Sequence, residues 1–110
     1  MNKIIYTDFF VNRAKRFHKK FVSLKNDVAQ LEKELLENPK LGESLGAGLY
    51  KVRLAVESKG GGKSGGFRVI TYLIDESNEN KNIYLITIFD KSEDSTIQKK
   101  ELLKLVKAIL

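Results

Sequence analysis

The sequence predicts an α+β fold in which a short strand and two helices precede three strands and a final helix. Apolar residues recur every three or four positions over residues 8–37, which is the spacing of an amphipathic helix. Side chains of opposite character alternate over residues 49–56, which is the period of a β-strand. The glycine-rich segment 58–66 is too short to separate domains, so we expect it to join two antiparallel strands within one domain spanning residues 1–110.

The N-terminal third is predicted to hold a strand and two helices. Residues 3–6 form the strand, and Thr7 or Asp8 offers an N-cap for the helix that follows. The apolar stripe consists of Phe10, Ala14, Phe17, Phe21, Leu24, Val28, Leu31 and Leu35. One unbroken helix over this stretch would be about 45 Å long, which is too long for so small a domain. We therefore expect a break near Val22–Ser23, with Ser23 as the second cap, and an end at Asn38–Pro39.

The remainder predicts three strands and one helix. A glycine-containing loop over residues 40–48 comes first, and the strands are expected at residues 49–56, 67–74 and 83–89. The third strand is apolar on both faces, which is typical of a central strand. Residues 75–82 are predicted to form a polar turn. Ser95 and Gln98 have the spacing of a capping box, and the helix after them carries Ile97, Leu102, Val106 and Ile109 on one face.

The composition indicates a basic protein. Lys and Arg total 20 against 14 acidic residues, so the formal net charge is +6. Such a surface attracts phosphates, acidic proteins or anionic membranes. There are no cysteines, which excludes disulfides and thiolate zinc sites. No apolar run approaches the roughly 20 residues that span a bilayer, and the first eight residues hold no signal-peptide core. We therefore expect a cytoplasmic protein that does not bind membranes.

Most familiar catalytic arrangements are excluded by what the chain lacks. His18 is its one histidine and belongs to a lysine-rich helix, so we interpret it as a solvated surface residue. The carboxylates suggest neither an acid–base pair nor a metal site, and we expect no metal or cofactor. Gly62-Lys63-Ser64 resembles the end of a phosphate-binding loop, but Glu57 occupies the position of the first required glycine, and a strand follows instead of a helix.

The remaining chemical signal is a set of basic residues around the predicted sheet. Lys51 and Arg53 project from one face of a strand about 7 Å apart. The other members are Lys59 and Lys63 in the glycine-rich loop, Arg68 at the start of the next strand and Lys91 after the last strand. On pattern alone, solvated cations on an exposed face are as well supported as a phosphate site. A second basic run is either a solvated helix face or a surface that binds ribosomal RNA or an acidic partner; it consists of Arg13, Lys15, Arg16, Lys19, Lys20 and Lys25.

The order of elements and several motifs resemble the RelE/HigB superfamily of toxin–antitoxin modules, particularly its HigB-like branch. The resemblance covers nearly the whole chain, and its most specific part is the Lys-Gly…Lys-x-Gly-Gly-x-Arg stretch from Lys59 to Arg68. The other matching segments are Asn38–Gly42, Gly48–Arg53 and Tyr84–Glu93. This resemblance implies a small RelE-like fold, with a twisted and mostly antiparallel sheet packed against helices.

The resemblance also implies a function and a site. Members of the superfamily cleave mRNA, usually on the ribosome, and are neutralised by a cognate antitoxin. By position, the implied catalytic residues are Lys51, Arg53, Arg68 and Lys91. The implied RNA-binding residues are Lys59, Lys63, Phe67 and Tyr72, with Phe67 or Tyr72 as the group that stacks on a base. A lysine crowded by arginines loses its proton more readily, so Lys51 is expected to act as the base.

Two departures from the superfamily affect these assignments. Ser92 stands where related toxins often have an arginine, and the last helix lacks the tyrosine that many of them carry. Two other functions share part of the pattern: a ParE-like toxin that inhibits DNA gyrase without cutting nucleic acid, and a non-catalytic RNA-binding module. The converging basic residues argue against the first, and the core-like spacing of the aromatics argues against the second.

Overall fold

A computed structural model describes residues 1–77 and 79–110, and it confirms the α+β class and the predicted order of the main elements. Among these residues the elements are β1 (Lys3–Tyr6), α1 (Asp8–Lys20), α2 (Leu24–Glu37), β2 (Glu43–Gly46), β3 (Leu49–Leu54), α3 (Gly62–Gly65), β4 (Phe67–Ser77), β5 (Asn80–Asp90), a 3₁₀ segment (Lys91–Thr96) and α4 (Lys99–Ile109). The short elements β2 and α3 lie in segments that were expected to be loops. None of the described helices is long and apolar enough to cross a membrane.

The described strands form one mixed sheet in the order β1-β5-β4-β3-β2. β1 pairs in parallel with β5, and the remaining neighbours are antiparallel. β5 lies between β1 and β4, as its apolar character predicted. Helices cover both of its faces, which explains why apolar side chains occur on each face. The glycine-rich segment joins the antiparallel strands β3 and β4, also as predicted.

Helices cover both faces of the sheet, and each face has its own apolar cluster. On one face α1 and α2 pack against β3, β4 and β5 through Phe10, Leu24, Val28, Leu31, Leu35, Val52, Leu54, Phe67, Val69, Ile83, Leu85 and Ile88. On the other face Leu102 and Val106 of α4 pack against Leu49, Ile70, Ile86 and Phe89. The predicted stripes of α1, α2 and α4 are therefore the core-facing sides of these helices.

The ends of α1 and α2 follow local hydrogen bonding. The Thr7 hydroxyl accepts a hydrogen bond from the Phe10 amide at 3.2 Å, so Thr7 is the N-cap of α1. The predicted break between the helices is confirmed, and Ser23 precedes α2. The Ser23 hydroxyl does not cap the helix: it donates to Asp27 at 2.7 Å and accepts from the Ser58 amide at 2.8 Å. Ser23 therefore ties the helix pair to the segment after β3.

Three predicted boundaries are wrong. The capping box at Ser95 is absent, because Ser95 lies in the 3₁₀ segment and Gln98 precedes α4 without a side-chain cap. β3 ends at Leu54, two residues early. The turn predicted over residues 75–82 is shorter, because Ser77 and Asn80 already pair in the sheet; Asn78, within that prediction, lies outside the described residues.

Candidate functional site

The register of β3 and β4 brings three predicted site residues to one face of the sheet. Arg53 is directly opposite Arg68, and Lys51 is directly opposite Ile70. Directly opposed side chains lie on the same face, and Ile70 belongs to the cluster under α4. Lys51, Arg53 and Arg68 therefore lie on the α4 side, at the end of the strands that α4 leaves uncovered.

These side chains open into a cleft of about 500 Å³. Residues from α2, the α2–β2 connection, β2, β3, α3, β4 and the 3₁₀ segment line it: Glu34, Leu41, Gly42, Glu43, Lys51, Val52, Arg53, Lys63, Arg68 and Asp94. Four cations and three carboxylates thus share one cleft, so it is less basic than the sequence suggested. No three described His, Asp or Glu side chains are grouped closely enough to hold a metal ion.

Asp94 of the 3₁₀ segment bridges two of the cations. One of its carboxylate oxygens accepts from Lys51 Nζ at 3.0 Å, and the other accepts from Arg68 Nε at 3.3 Å. Burial alone would favour the neutral acid, but the hydrogen bonds and positive charges of Lys51 and Arg68 outweigh it and lower the pKa of Asp94. Asp94 is therefore an ionised carboxylate held between two cations.

Arg68 is buried, with 6 % of its surface exposed. Its terminal nitrogens donate to backbone carbonyls, Nη1 to Lys63 at 3.1 Å and to Phe67 at 3.2 Å, and Nη2 to Ser64 at 3.4 Å. Buried charges are tolerated when they are paired and hydrogen-bonded. Arg68 therefore holds α3 against the sheet, and among the described residues its one side-chain acceptor is Asp94, which it reaches through Nε.

Lys51, which was predicted to act as the base, has acidic neighbours in the structure. That prediction considered only neighbouring arginines. In the structure Lys51 Nζ lies 3.0 Å from Asp94 and 3.8 Å from Glu43. Lys51 therefore contacts carboxylates that the sequence interpretation did not include.

Arg53 and Lys63 are the exposed cations of the cleft. Neither side chain takes part in an ion pair among the described residues. Arg53 is on β3, where the strand fixes its direction, whereas Lys63 is in α3 between glycines. These two side chains are therefore the ones most accessible to an incoming anion.

Lys59 and Lys91 lie outside the cleft lining. Lys59 Nζ donates to the carbonyls of Gly65 at 2.7 Å and Gly66 at 3.2 Å and pairs with Asp90 at 3.0 Å. These bonds close the glycine-rich loop, and the role of Lys59 as an RNA contact stays a prediction. Lys91 is exposed at the start of the 3₁₀ segment, and its amide donates to the Gly66 carbonyl at 3.2 Å.

Asp90 also has a lowered pKa. Burial acts in the opposite direction and is outweighed by hydrogen bonds from the Ser92 backbone and from Lys59, together with the lysine's charge. Asp90 thus fastens the loop between β3 and β4 to the end of β5.

Neither aromatic residue predicted to stack on RNA is in the cleft. Phe67 is 0 % exposed, and its ring meets those of Phe17 and Phe21 edge-on with centroids 4.7 and 5.4 Å away. The prediction for Phe67 is wrong because its side chain faces the α1–α2 core. Tyr72 shares the face of Arg68 but is four residues further along β4, where it packs against the α4 cluster and lies near Tyr84.

The sequence interpretation missed the acidic partners of the site. The segment from Asp90 to Asp94 contributed only Lys91 to the predicted site, although three of its five residues are acidic. Counting charge across this segment would have indicated carboxylates near the cations. Glu93 lies 3.8 Å from Arg13, and Arg13 also donates to the Ile88 carbonyl at 2.7 Å, so one predicted surface cation of α1 is instead a link between α1 and β5.

The fold and the sequence are both similar to known toxins. A solved structure of a mutant E. coli toxin RelE in the free state matches 97 % of this chain and 96 % of that chain, with 22 % identity and a TM-score of 0.54. At that identity the similarity concerns the fold. The family model described as RelE toxin of the RelE/RelB toxin–antitoxin system matches residues 2–109. The chain therefore belongs to the RelE toxin family and is the toxin component of a toxin–antitoxin system.

Proposed function

We propose that this toxin is an endoribonuclease that cleaves mRNA in the cleft between β3, α3 and the 3₁₀ segment. The single observation that carries the proposal is the convergence of Lys51, Arg53, Lys63 and Arg68 on that cleft. A phosphodiester is an anion, and fixed ammonium and guanidinium groups are its usual ligands in proteins. Membership of the RelE family supports RNA as the source of that phosphodiester.

The reaction requires little from the protein beyond fixed charge and proton transfer. RNA supplies its own nucleophile, the 2′-hydroxyl beside the scissile phosphate. As this hydroxyl gives up its proton to water, its oxygen forms a bond to phosphorus and additional negative charge develops on the phosphorane. The bond from phosphorus to the 5′-oxygen of the next nucleotide then breaks, and that oxygen takes up a proton from water. Cations placed where this charge develops often contribute the largest part of catalysis. Arg53, Lys51 and Lys63 take this role, and no metal ion is needed for the step.

The non-catalytic alternative is less well supported. RNA-binding modules that use a sheet present exposed aromatic rings on which bases stack. The cleft lining, as far as the structure describes it, contains no aromatic side chain. The cleft is therefore better suited to the phosphate backbone than to base stacking. No specific contact favours the ParE-like alternative over the ribonuclease.

We further propose that cleavage takes place in the cytoplasm, on mRNA that is being translated. Exposed cations of α1, namely Lys15, Arg16, Lys19 and Lys20, form a second basic surface apart from the cleft. A surface of this kind suits the phosphate backbone of ribosomal RNA. The antitoxin is expected to carry acidic residues, because the chain has a net charge of +6.

Incubation of the purified toxin with translating ribosomes tests the proposal directly. We expect blocked translation together with new mRNA 5′ ends, and loss of both for Lys51→Met, which keeps most of the length of the side chain but removes its charge. Loss of DNA supercoiling activity in a gyrase assay, with intact mRNA, would replace the ribonuclease by the ParE-like function. RNA binding without new ends would support the non-catalytic module.

A further inference from the structure

The Asp94 carboxylate lies at the position in the cleft from which one group can contact both Lys51 and Arg68. The two carboxylate oxygens each take one cation, at 3.0 Å and 3.3 Å. Two non-bridging oxygens of a phosphate would bind the same pair of donors in the same way, because phosphate and carboxylate accept from ammonium and guanidinium groups with similar geometry. The side chain of Asp94 thus resembles a bound substrate phosphate in its contacts.

The hydrogen bonds that Arg68 already makes restrict where an incoming phosphate can bind to it. Both terminal nitrogens of its guanidinium donate to backbone carbonyls of residues 63, 64 and 67, and its side chain is only 8 % exposed. Nε is directed at Asp94. A phosphate that binds Arg68 through Nε must therefore take the position of the Asp94 carboxylate.

The 3₁₀ segment that carries Asp94 is short and partly exposed. It packs at the end of β5, and Asp94 itself is 29 % exposed. The neighbouring Glu93 is 3.8 Å from Arg13 and 45 % exposed, an ion pair that contributes little because solvent screens it. Displacement of Asp94 therefore requires movement of a side chain at the protein surface, without disruption of either apolar cluster.

We propose that Asp94 determines the affinity of this cleft by acting as an internal substitute for the RNA phosphate. In the free toxin Asp94 neutralises Lys51 and Arg68, and an RNA strand binds productively only when its phosphate displaces the carboxylate. Because an incoming phosphate must compete with Asp94, an isolated phosphate binds weakly. An RNA strand that also contacts Arg53 and Lys63 binds more tightly. This inference rests on the proposed function, because it concerns RNA binding at the same cleft.

The test measures binding without cleavage. The probe is a fluorescent single-stranded oligoribonucleotide with 2′-O-methyl groups throughout, which has no nucleophile, and the readout is the Kd from fluorescence anisotropy at fixed salt. Asp94→Asn is compared with Glu93→Gln, which changes the net charge equally one residue away. We expect Asp94→Asn to bind about tenfold more tightly than Glu93→Gln, equivalent to about 1.4 kcal/mol, and Glu93→Gln to stay close to wild type.

Equal or weaker binding by Asp94→Asn relative to Glu93→Gln would overturn the inference. If the wild-type protein nevertheless cuts mRNA on ribosomes, only the proposed role of Asp94 is rejected and the proposed function stands. If no variant binds the probe and wild type leaves mRNA intact, the proposed function is lost with it. Wild-type protein gives an independent readout should Asp94→Asn fold poorly. Saturation with the same probe should shift the NMR signal of the Asp94 carboxyl carbon and leave that of Glu93 unchanged, and an unshifted Asp94 signal in the saturated complex would reject displacement.

Discussion

Arg53 and Arg68 are directly opposite each other in the register of β3 and β4. Cβ atoms at such positions are about 4.5–5.5 Å apart, and like charges there destabilise strand pairing. The two residues differ in their environments: Arg68 is buried against backbone carbonyls and Asp94, whereas Arg53 is exposed in the cleft. The same residue type on adjacent strands is therefore expected to have different effects when replaced.

Arg53→Ala is expected to lower mRNA cleavage by about 10²–10³, the usual effect of removing one donor that stabilises a transition state. Stability should change by less than about 0.5 kcal/mol, because the side chain is exposed. Cleavage rates on translating ribosomes and urea unfolding measure the two effects. Lys33→Ala, which removes a charge from the exposed side of α2, is the control and should cleave normally. An Arg53→Ala protein with the wild-type rate would exclude Arg53 from the site.

Arg68→Ala is expected to abolish cleavage and also to destabilise the fold. Its guanidinium satisfies backbone carbonyls of residues 63, 64 and 67 and the Asp94 carboxylate. Hydrogen bonds to charged groups contribute about 1.5–3 kcal/mol, so we expect a loss of stability of that order in urea unfolding. Unchanged stability with lost cleavage would mean that the contacts to α3 are unimportant and that Arg68 acts on the substrate alone.

Phe67→Leu is expected to reduce stability and leave RNA affinity intact. The ring packs between Phe17 and Phe21 on the face away from the cleft. Truncation of a buried Phe to Ala costs about 3–5 kcal/mol, and leucine should cost less because it keeps part of the volume. Thermal unfolding and the binding assay with the methylated oligonucleotide separate the two effects. Weaker RNA binding with unchanged unfolding would restore Phe67 as a stacking residue.

Gly66→Ala is expected to destabilise the junction of α3 and β4. A Cβ at Gly66 would lie 2.0 Å from the Leu54 carbonyl oxygen, so β3 and β4 would have to separate. Forced expansion of this kind costs about 1–3 kcal/mol. Gly65→Ala is a matched control one residue away, because its Cβ would make only an ordinary 3.7 Å contact with Gly60. Similar urea midpoints for the two variants would contradict this close approach.

Acid should weaken the fold through Asp90 and Asp94. Both carboxyls have lowered pKa values in the folded protein. Their contribution to stability is therefore fully present above the pKa of the unfolded carboxyl, about 3.9, and is lost as the pH falls through the lower folded values. Urea unfolding as a function of pH measures this loss. In an Asp90→Asn, Asp94→Asn double variant, stability should fall less steeply in that window, and an identical profile would argue against these ion pairs.

Several features of the fold and the site could be predicted from residues close together in the sequence. Helical spacing and chain length together predicted the break before Ser23. Strand alternation placed Lys51 and Arg53 on one face, and the glycine-rich segment indicated the antiparallel pairing that brings Arg68 beside them. These predictions succeeded because helix period, strand period and tight connections depend on local geometry.

The sequence by itself determined the α+β class, the element order and the gathering of basic residues on one sheet face. Only the tertiary structure decided which of those residues are accessible. Asp94 is 43 residues from Lys51 along the chain, and the end of β5 and the 3₁₀ segment carry it to the cations. Similarly, Phe67 is buried because α1 and α2 cover its face of β4. Burial and ion pairing depend on which distant elements pack together, and no local period of the sequence contains that information.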